Sequence, residues 1–161
     1  MKRAALLLVL ATLALPWSAV AGGGSPRRPA PDFTVTDLSG QRVSLRDLRG
    51  EVVIVLFGDL GCAVCRENDR LLRGYQFEYL SHGLTVVSLH EHATRAELER
   101  YDAGFASSTL TGLDPGQAIA RRYGARPLPT TVFIDREGNI RGVHRGRLSE
   151  GELLRSLQAL L

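Results

Sequence analysis

Val52-Val53-Ile54-Val55-Leu56-Phe57-Gly58-Asp59-Leu60-Gly61-Cys62-Ala63-Val64-Cys65 is the core of a stretch, Glu51 to Leu80, around which the chain is organised. The apolar run Val52 to Phe57 is rich in β-branched residues. It reads as a strand buried on both faces of a sheet. Gly58 and Gly61 break that pattern and permit a tight turn. A helix-like stretch follows from Arg66 to about Leu80, so the two cysteines fall at its start. Unpaired N–H groups and the positive end of the helix dipole favour a thiolate there. A thiolate is the attacking species in thiol–disulfide exchange. This arrangement suits redox chemistry on dithiols, disulfides or peroxides.

The first 21 positions read as a secretory signal. Lys2 and Arg3 form a positive start, and Ala4 to Leu15 is an apolar run shorter than the ~20 residues of a spanning helix. Ala19-Val20-Ala21 fits a small-x-small cleavage site. Cleavage there leaves Gly22 to Leu161, enough for one compact domain. The plainer alternative is an uncleaved N-terminal anchor, which would be the chain's only tie to a membrane. The formal net charge is +3, two units of which Lys2 and Arg3 carry. Lys2 is the only lysine, and the arginines alternate with carboxylates, as in Arg66-Glu67 and Arg136-Glu137. That is a mixed solvated surface rather than the basic stripe of a nucleic-acid binder. An exported chain with two cysteines spaced this closely is not stapled by them, so the pair is free for catalysis.

Residues 22–31, with Gly22-Gly23-Gly24-Ser25 and Arg27-Arg28, read as a flexible linker, and residues 32–161 as one domain. Phe33, Val35 and Leu38, then Val43 and Leu45, suggest a short N-terminal strand pair. The helix after Cys65 carries Leu71, Leu72, Tyr75, Tyr79 and Leu80 as one apolar stripe, and Gly83 suits its C-terminal cap. Leu84 to Leu89 is a second buried strand, parallel to the first. Thr94-Arg95-Ala96-Glu97 and Ser149-Glu150-Gly151-Glu152 are capping boxes that open helices. Thr109 to Leu113 suggests a short strand. Asp114-Pro115 opens another helix, with Asp as N-cap and Pro in the first turn, ending near Tyr123-Gly124. Thr130 to Ile134 and Ile140 to His144 form an antiparallel pair around Asp135 to Asn139. The order β-α-β-α, then β-β-α, is that of an α/β protein with helices around one mixed sheet.

A Cys-x-x-Cys pair reads first as redox, second as half a zinc site, third as coincidence. Zinc would need further ligands, and only His82, His90, His92 and His144 are on offer. In the redox reading Cys62, nearer the exposed end of the helix, attacks; Cys65, one turn in, resolves the mixed disulfide. His90-Glu91-His92 ends the second parallel strand and reads as a solvated loop, with metal binding or thiol tuning by the two histidines as the alternative. Asp59 reads equally as a turn residue or as a group assisting proton transfer. Glu67 and Asp69 are dipole-complementing acids, Glu67 being within reach of the thiol pair. Pro129 opens a strand, and Pro127 is close by.

Several short pieces, weak singly, fall in a specific order: Ala30-Pro31-Asp32-Phe33, Asp37-Leu38-Ser39-Gly40, Val43-Ser44-Leu45, Asp47-Leu48-Arg49-Gly50, Cys62-x-x-Cys65-Arg66, Tyr123-Gly124, and Pro129-Thr130-Thr131-Val132-Phe133-Ile134-Asp135 with Gly138. Together they resemble the thioredoxin-like superfamily, and most closely its exported TlpA-like (redoxin, AhpC/TSA-related) thiol–disulfide oxidoreductases. The resemblance spans about Ala30 to Leu161. It implies a thioredoxin-like fold with a central mixed β-sheet flanked by helices and an N-terminal β extension. It implies a cis peptide at Pro129 beside the cysteines, with Leu128 offering backbone to a bound substrate chain. It implies no cofactor beyond a redox-active Cys62–Cys65 disulfide, partners that are protein dithiols or disulfides plus an unidentified redox partner, and a periplasmic or other extracytoplasmic setting. The departures are specific. Gly58 and Gly61 stand where tryptophan is usual, Asn68 stands where a glutamate is common, and the usual helix-kinking proline is missing. The chain also looks like peroxiredoxin-like members of the AhpC/TSA group, which makes an antioxidant peroxidase the second reading; Asp59 occupies the position of their threonine. A Sco-like copper chaperone ranks third, because it wants three residues between its cysteines and His144 is a poor match for its distal histidine.

Overall fold

Val52–Gly58 forms β3, buried along its whole length in a computed structural model that describes residues 28–105 and 109–161. The expected signal (1–21) and most of the expected linker lie outside the described residues. Ahead of β3, β1 (Thr34–Thr36) and β2 (Arg42–Ser44) pair antiparallel as a separate hairpin. After it come α1 (Ala63–Tyr79), β4 (Leu84–His90), α2 (Arg95–Asp102), β5 (Leu110–Leu113), α3 (Ala118–Tyr123), β6 (Thr130–Ile134), β7 (Ile140–Arg145) and α4 (Glu150–Gln158). The main sheet has the order β5-β4-β3-β6-β7. β3 runs parallel to β4 and antiparallel to β6, so the sheet is mixed.

The burial of β3 follows from cover on both faces. Val53, Val55 and Phe57 pack with Ile119, Ala120 and Tyr123 of α3 and with Phe33, Val35 and Leu45 of the N-terminal segment. Val52, Ile54 and Leu56 pack with Leu72 of α1 and with Leu153 and Leu157 of α4. A strand covered this way carries apolar residues at every position instead of alternating.

Both predicted capping boxes form, at Thr94/Glu97 and Ser149/Glu152. Gly83 closes the turn after α1 in the left-handed region, at φ 75°. Three expectations change. The linker expected over 22–31 is not free over its last four positions. Ile140 N–H donates to the Arg28 carbonyl at 2.8 Å, Ala30 N–H to Gly138 at 3.0 Å, and the Tyr123 hydroxyl to the Pro31 carbonyl at 2.6 Å. The helix expected from Asp114 is instead a 3-10 turn, Pro115–Gln117, followed by α3. Gly116 and Gln117 adopt left-handed φ values of 64° and 60°, which break the helix. Asp114 still caps, from further back: its two carboxylate oxygens accept the Ile119 and Ala120 N–H groups at 2.9 and 2.8 Å.

The third change concerns α1. Of its expected apolar stripe, Leu72 is fully buried, Leu71, Tyr75 and Tyr79 pack at the margin, and Leu80 is exposed. Cys65, Asn68, Asp69, Arg73 and Gln76 share the buried face with Leu72. Polar groups are buried only with partners, and each has them. Gln76, for example, accepts the Val86 N–H at 2.8 Å, just before β5 begins to pair with β4 at Val87.

The N-terminal hairpin meets the main sheet at Gly112 of β5. A Cβ there would lie 2.4 Å from Val35 Cγ2 and 3.2 Å from the Thr36 carbonyl oxygen. Gly112→Ala is therefore expected to cost about 1–3 kcal/mol, read as a lower urea midpoint; an unchanged midpoint would refute this docking.

Candidate active site

β3 ends at Gly58, and the chain turns through Asp59-Leu60-Gly61. The Asp59 carboxylate accepts the Gly61 N–H at 2.7 Å, and the Asp59 carbonyl accepts the Cys62 N–H at 3.2 Å. Arg66 donates to the Leu60 carbonyl from inside α1. These bonds deliver Cys62 as the N-cap of α1, with its sulfur accepting the Cys65 N–H at 3.1 Å. Cys62 and Cys65 are joined as a disulfide, with Cα atoms 5.2 Å apart. Cys62 is half-buried; Cys65 is 1% exposed. Gly58 has a steric role in this: a Cβ there would stand 3.2 Å from Cys65 Cβ and 3.8 Å from its sulfur. The missing side chain lets the start of α1 close onto the sheet.

Leu128–Pro129 is a cis peptide, as the resemblance implies, and Arg126–Pro127 is cis as well. Phe57 pairs with Thr130 in the β3–β6 register, which carries Pro129 to the level of Gly58 and hence to Cys65. The loop is pinned. Thr130 Oγ1 donates to the Pro127 carbonyl at 2.7 Å, Gly146 N–H to the Pro129 carbonyl at 2.9 Å, and Arg126 pairs with Glu91 at 2.9 Å. Leu128 is half-buried against the core.

The remaining sequence candidates separate. Asp59 pairs with His92 Nδ1 at 2.9 Å. Burial works to raise its carboxyl, but the Gly61 N–H and His92 outweigh this and hold it below the ordinary range. Glu67 pairs with Arg147 in the loop before α4. The expected solvated loop at His90-Glu91-His92 is corrected: His90 is 2% exposed and Glu91 8%, and only His92 faces solvent. β4 runs on to His90 because that residue pairs with Gly58. The two histidines engage different groups, Ser88 for His90 and Asp59 for His92.

The sequence reading missed a buried polar network behind the disulfide. Asp69, expected as a dipole-complementing acid, is fully buried. It accepts from Arg73 Nε at 2.8 Å, Tyr101 OH at 3.0 Å and Ser88 Oγ at 2.6 Å. Arg73 also reaches Asp102 at 2.7 Å and Thr111 at 2.8 Å, and lies 4.6 Å from the Phe105 ring centroid. Burial and Asp69 together push the Tyr101 phenol well above its ordinary value. Asn68 donates to the Gly146 carbonyl and accepts the Leu148 N–H, both at 2.9 Å. One signal was present: Ser88 is a polar residue between Val87 and Leu89 inside a largely apolar strand, and such a residue needs a partner.

A model of the AhpC/TSA family matches residues 26–143. The chain belongs to the AhpC/TSA family. Among curated relatives, the thiol-disulfide oxidoreductase ResA of Bacillus thuringiensis (strain Al Hakam) is 29% identical over 113 residues, covering 70% of this chain and 65% of that protein. The match thus spans just under two thirds of the relative's length. Among solved structures, a Chlorobium tepidum protein provisionally described as the thiol:disulfide interchange protein DsbE is 27% identical, with a TM-score of 0.75, covering 83% of this chain and 95% of its own. A second from Chlorobium tepidum TLS, described as a thiol:disulfide interchange protein of the thioredoxin family, is 22% identical with a TM-score of 0.76 over 84% and 97% of the two chains. The fold is therefore thioredoxin-like, with five strands in the central mixed sheet.

Removing one member of a buried ion pair strands the other charge, at a typical cost of about 3–5 kcal/mol. Asp69→Ala is expected to fall in that range by urea unfolding, far above the effect of an exposed carboxylate such as Glu137→Ala. Equal effects at the two positions would show that the network carries no weight.

Proposed function

We propose that this protein is an exported thiol–disulfide oxidoreductase that exchanges its Cys62–Cys65 dithiol/disulfide with partner proteins. The observation that carries the reading is the unequal setting of two bonded sulfurs at one helix terminus. Cys62 is reachable and sits at the cap; Cys65 is sealed one turn inside. In the reduced protein a Cys62 thiolate would keep the Cys65 N–H and gain the helix dipole, both of which stabilise negative charge on sulfur. It attacks a partner disulfide and forms a mixed disulfide. Cys65 then attacks Cys62, the partner thiol leaves, and the intramolecular disulfide returns. Run backwards, the same steps donate a disulfide. Leu128 and the cis Pro129 are the surface against which the partner's backbone lies. Asp59 and Glu67 act on the pair only indirectly, through the turn and through the charge around it.

The pair itself carries the two electrons, so no further cofactor is required. The partners are exported protein dithiols and disulfides, such as apocytochromes awaiting haem or copper-site proteins, with a separate redox protein resetting the pair. Membrane contact is confined to the N-terminal signal if it stays uncleaved. Export to the periplasm or an equivalent space is read from Lys2-Arg3, Ala4 to Leu15 and Ala19-Val20-Ala21. Among the described residues no helix is long and apolar enough to cross a membrane. The relative named as thiol-disulfide oxidoreductase ResA supports the reaction class.

Chelator-treated, desalted protein is expected to accelerate reduction of insulin by dithiothreitol. Cys62→Ser abolishes this, and Cys65→Ser halts it at a mixed disulfide visible by mass spectrometry. Folded wild-type protein that exchanges with no disulfide, or undiminished activity in Cys62→Ser, would overturn the assignment.

A further inference from the structure

The hydrogen bonds of Ser88 favour one tautomer of His90. Ser88 has one hydroxyl proton, and it is committed to Asp69 Oδ1 at 2.6 Å. His90 Nε2 lies 3.4 Å from the same hydroxyl oxygen. That contact is favourable only if Nε2 carries the ring proton and Ser88 accepts it. In the neutral ring the other nitrogen, Nδ1, is then a bare lone-pair acceptor. It is buried and has no hydrogen-bond partner. Buried acceptors of this kind are rare and call for an explanation.

The fold places this nitrogen's residue beside the disulfide. His90 pairs with Gly58 in the parallel β3–β4 register, and paired residues share a sheet face. The Gly58 face is the one closed by Cys65. The contacts along α1 agree: Gln76 meets β4 at Val86 and Asp69 meets it at Ser88, so the next turn back brings Cys65 to the level of His90.

We propose that His90 is a catalytic residue of the exchange reaction, taking the proton from the Cys65 thiol through Nδ1 while Ser88 and Asp69 hold its far side. The inference rests on the oxidoreductase reading above. In the mixed disulfide, Nδ1 accepts the Cys65 S–H proton and the Cys65 thiolate attacks Cys62. The Cys62–Cys65 bond forms and the bond from Cys62 to the partner sulfur breaks. The partner sulfur leaves with the electron pair and is protonated by the imidazolium. Two thiols of this protein become one disulfide, and the partner's disulfide becomes two thiols. In the disulfide form Cys65 has no proton to give, which accounts for an acceptor without a donor.

The surroundings suit a base. Burial, the largest influence, acts with Arg73 to hold His90 below its ordinary value, against Asp69, Asp59 and Asp102. The ring is therefore neutral near pH 7. The groups around it are Asp69 and Arg73 from α1, Asp59 from the turn, and Tyr101 and Asp102 from α2, with the Tyr101 ring edge-on at 6.2 Å. Once protonated, the imidazolium has Asp69 waiting behind Ser88.

Rapid mixing of reduced protein with equimolar 5,5′-dithiobis(2-nitrobenzoate) tests this. It releases one coloured thiolate when Cys62 attacks and a second when Cys65 resolves. In folded His90→Gln the first release is expected to stay within about twofold of wild type, and the second to slow at least tenfold at pH 7, a loss in the range of general-base catalysis. The second rate then rises with hydroxide across pH 6–9, where the wild type levels off. Ser88→Ala shows a smaller loss in the same phase. A second phase within twofold of wild type with the same pH profile overturns the proposal, as does equal slowing of both phases. Should His90→Gln fail to fold, ¹⁵N-histidine spectra of the wild type decide: the Nδ1 resonance moves on reduction while Nε2 stays protonated, and an unmoved Nδ1 overturns the proposal. Absence of the first release in wild-type protein would instead overturn the exchange reaction itself.

Discussion

Burying Asp69 against Arg73 under α1 constrains the rest of the molecule. A buried ion pair is tolerated only when every remaining donor and acceptor is met. Here Ser88 of β4, Tyr101 and Asp102 of α2, and Thr111 of β5 meet them. A purely apolar face could slide along the sheet at little cost. This one cannot, because each shift breaks charge-assisted bonds between buried groups. The axial position of α1 is thereby set, and with it the height of Cys62 and Cys65 above the end of β3.

Position alone does not make the two sulfurs different; the turn does. Asp59 ties down Gly61, and the Cys62 N–H closes on the Asp59 carbonyl, so Cys62 stops at the cap with extended backbone. Cys65 lies in the first turn of the helix and faces the sheet across the bare Cα of Gly58. The cis Pro129 reaches the same level through the β3–β6 register, held by Gly146 and Thr130. Three strand ends, of β3, β4 and β6, therefore converge on one pair of sulfurs. Convergence at a strand edge is the common geometry of sites in open α/β sheets.

What could be read from the chain and what could not divides by distance along it. β3 is a continuous apolar run, β4 is a largely apolar one, and both capping boxes span four residues, so a local window holds the whole signal. The disulfide is equally local. The partners of α1's polar face lie 19, 29 and 38 positions away, at Ser88, Asp102 and Thr111. Nothing within α1 announces them, so Asp69 and Arg73 look like an ordinary solvated pair. The turn at Gly116 and Gln117 was hidden for a related reason. Asp114 beside Pro115 has the composition of a helix start, yet its carboxylate takes its donors further on, at Ile119 and Ala120. The burial of His90 is not legible locally because it depends on pairing with Gly58, which only the assembled sheet reveals.

The departures from the TlpA-like pattern make sense together rather than one at a time. Asn68, where a glutamate is common, has no titratable proton, and its amide is spent on Gly146 and Leu148. It stitches α1 to the segment before α4 and takes no part in proton traffic. Cys65 is sealed from water, so a proton leaving it must pass to a neighbouring group. With no acid at position 68, the acceptor proposed above comes from another element. β4 supplies it, since its last residue stands level with Gly58 on the same face of the sheet. A bulky residue at position 58 would occupy the ground between β4 and the start of α1. In the role proposed for His90, the glycine at 58, the asparagine at 68 and the histidine at 90 form one arrangement, with the proton handled by the strand and not by the helix.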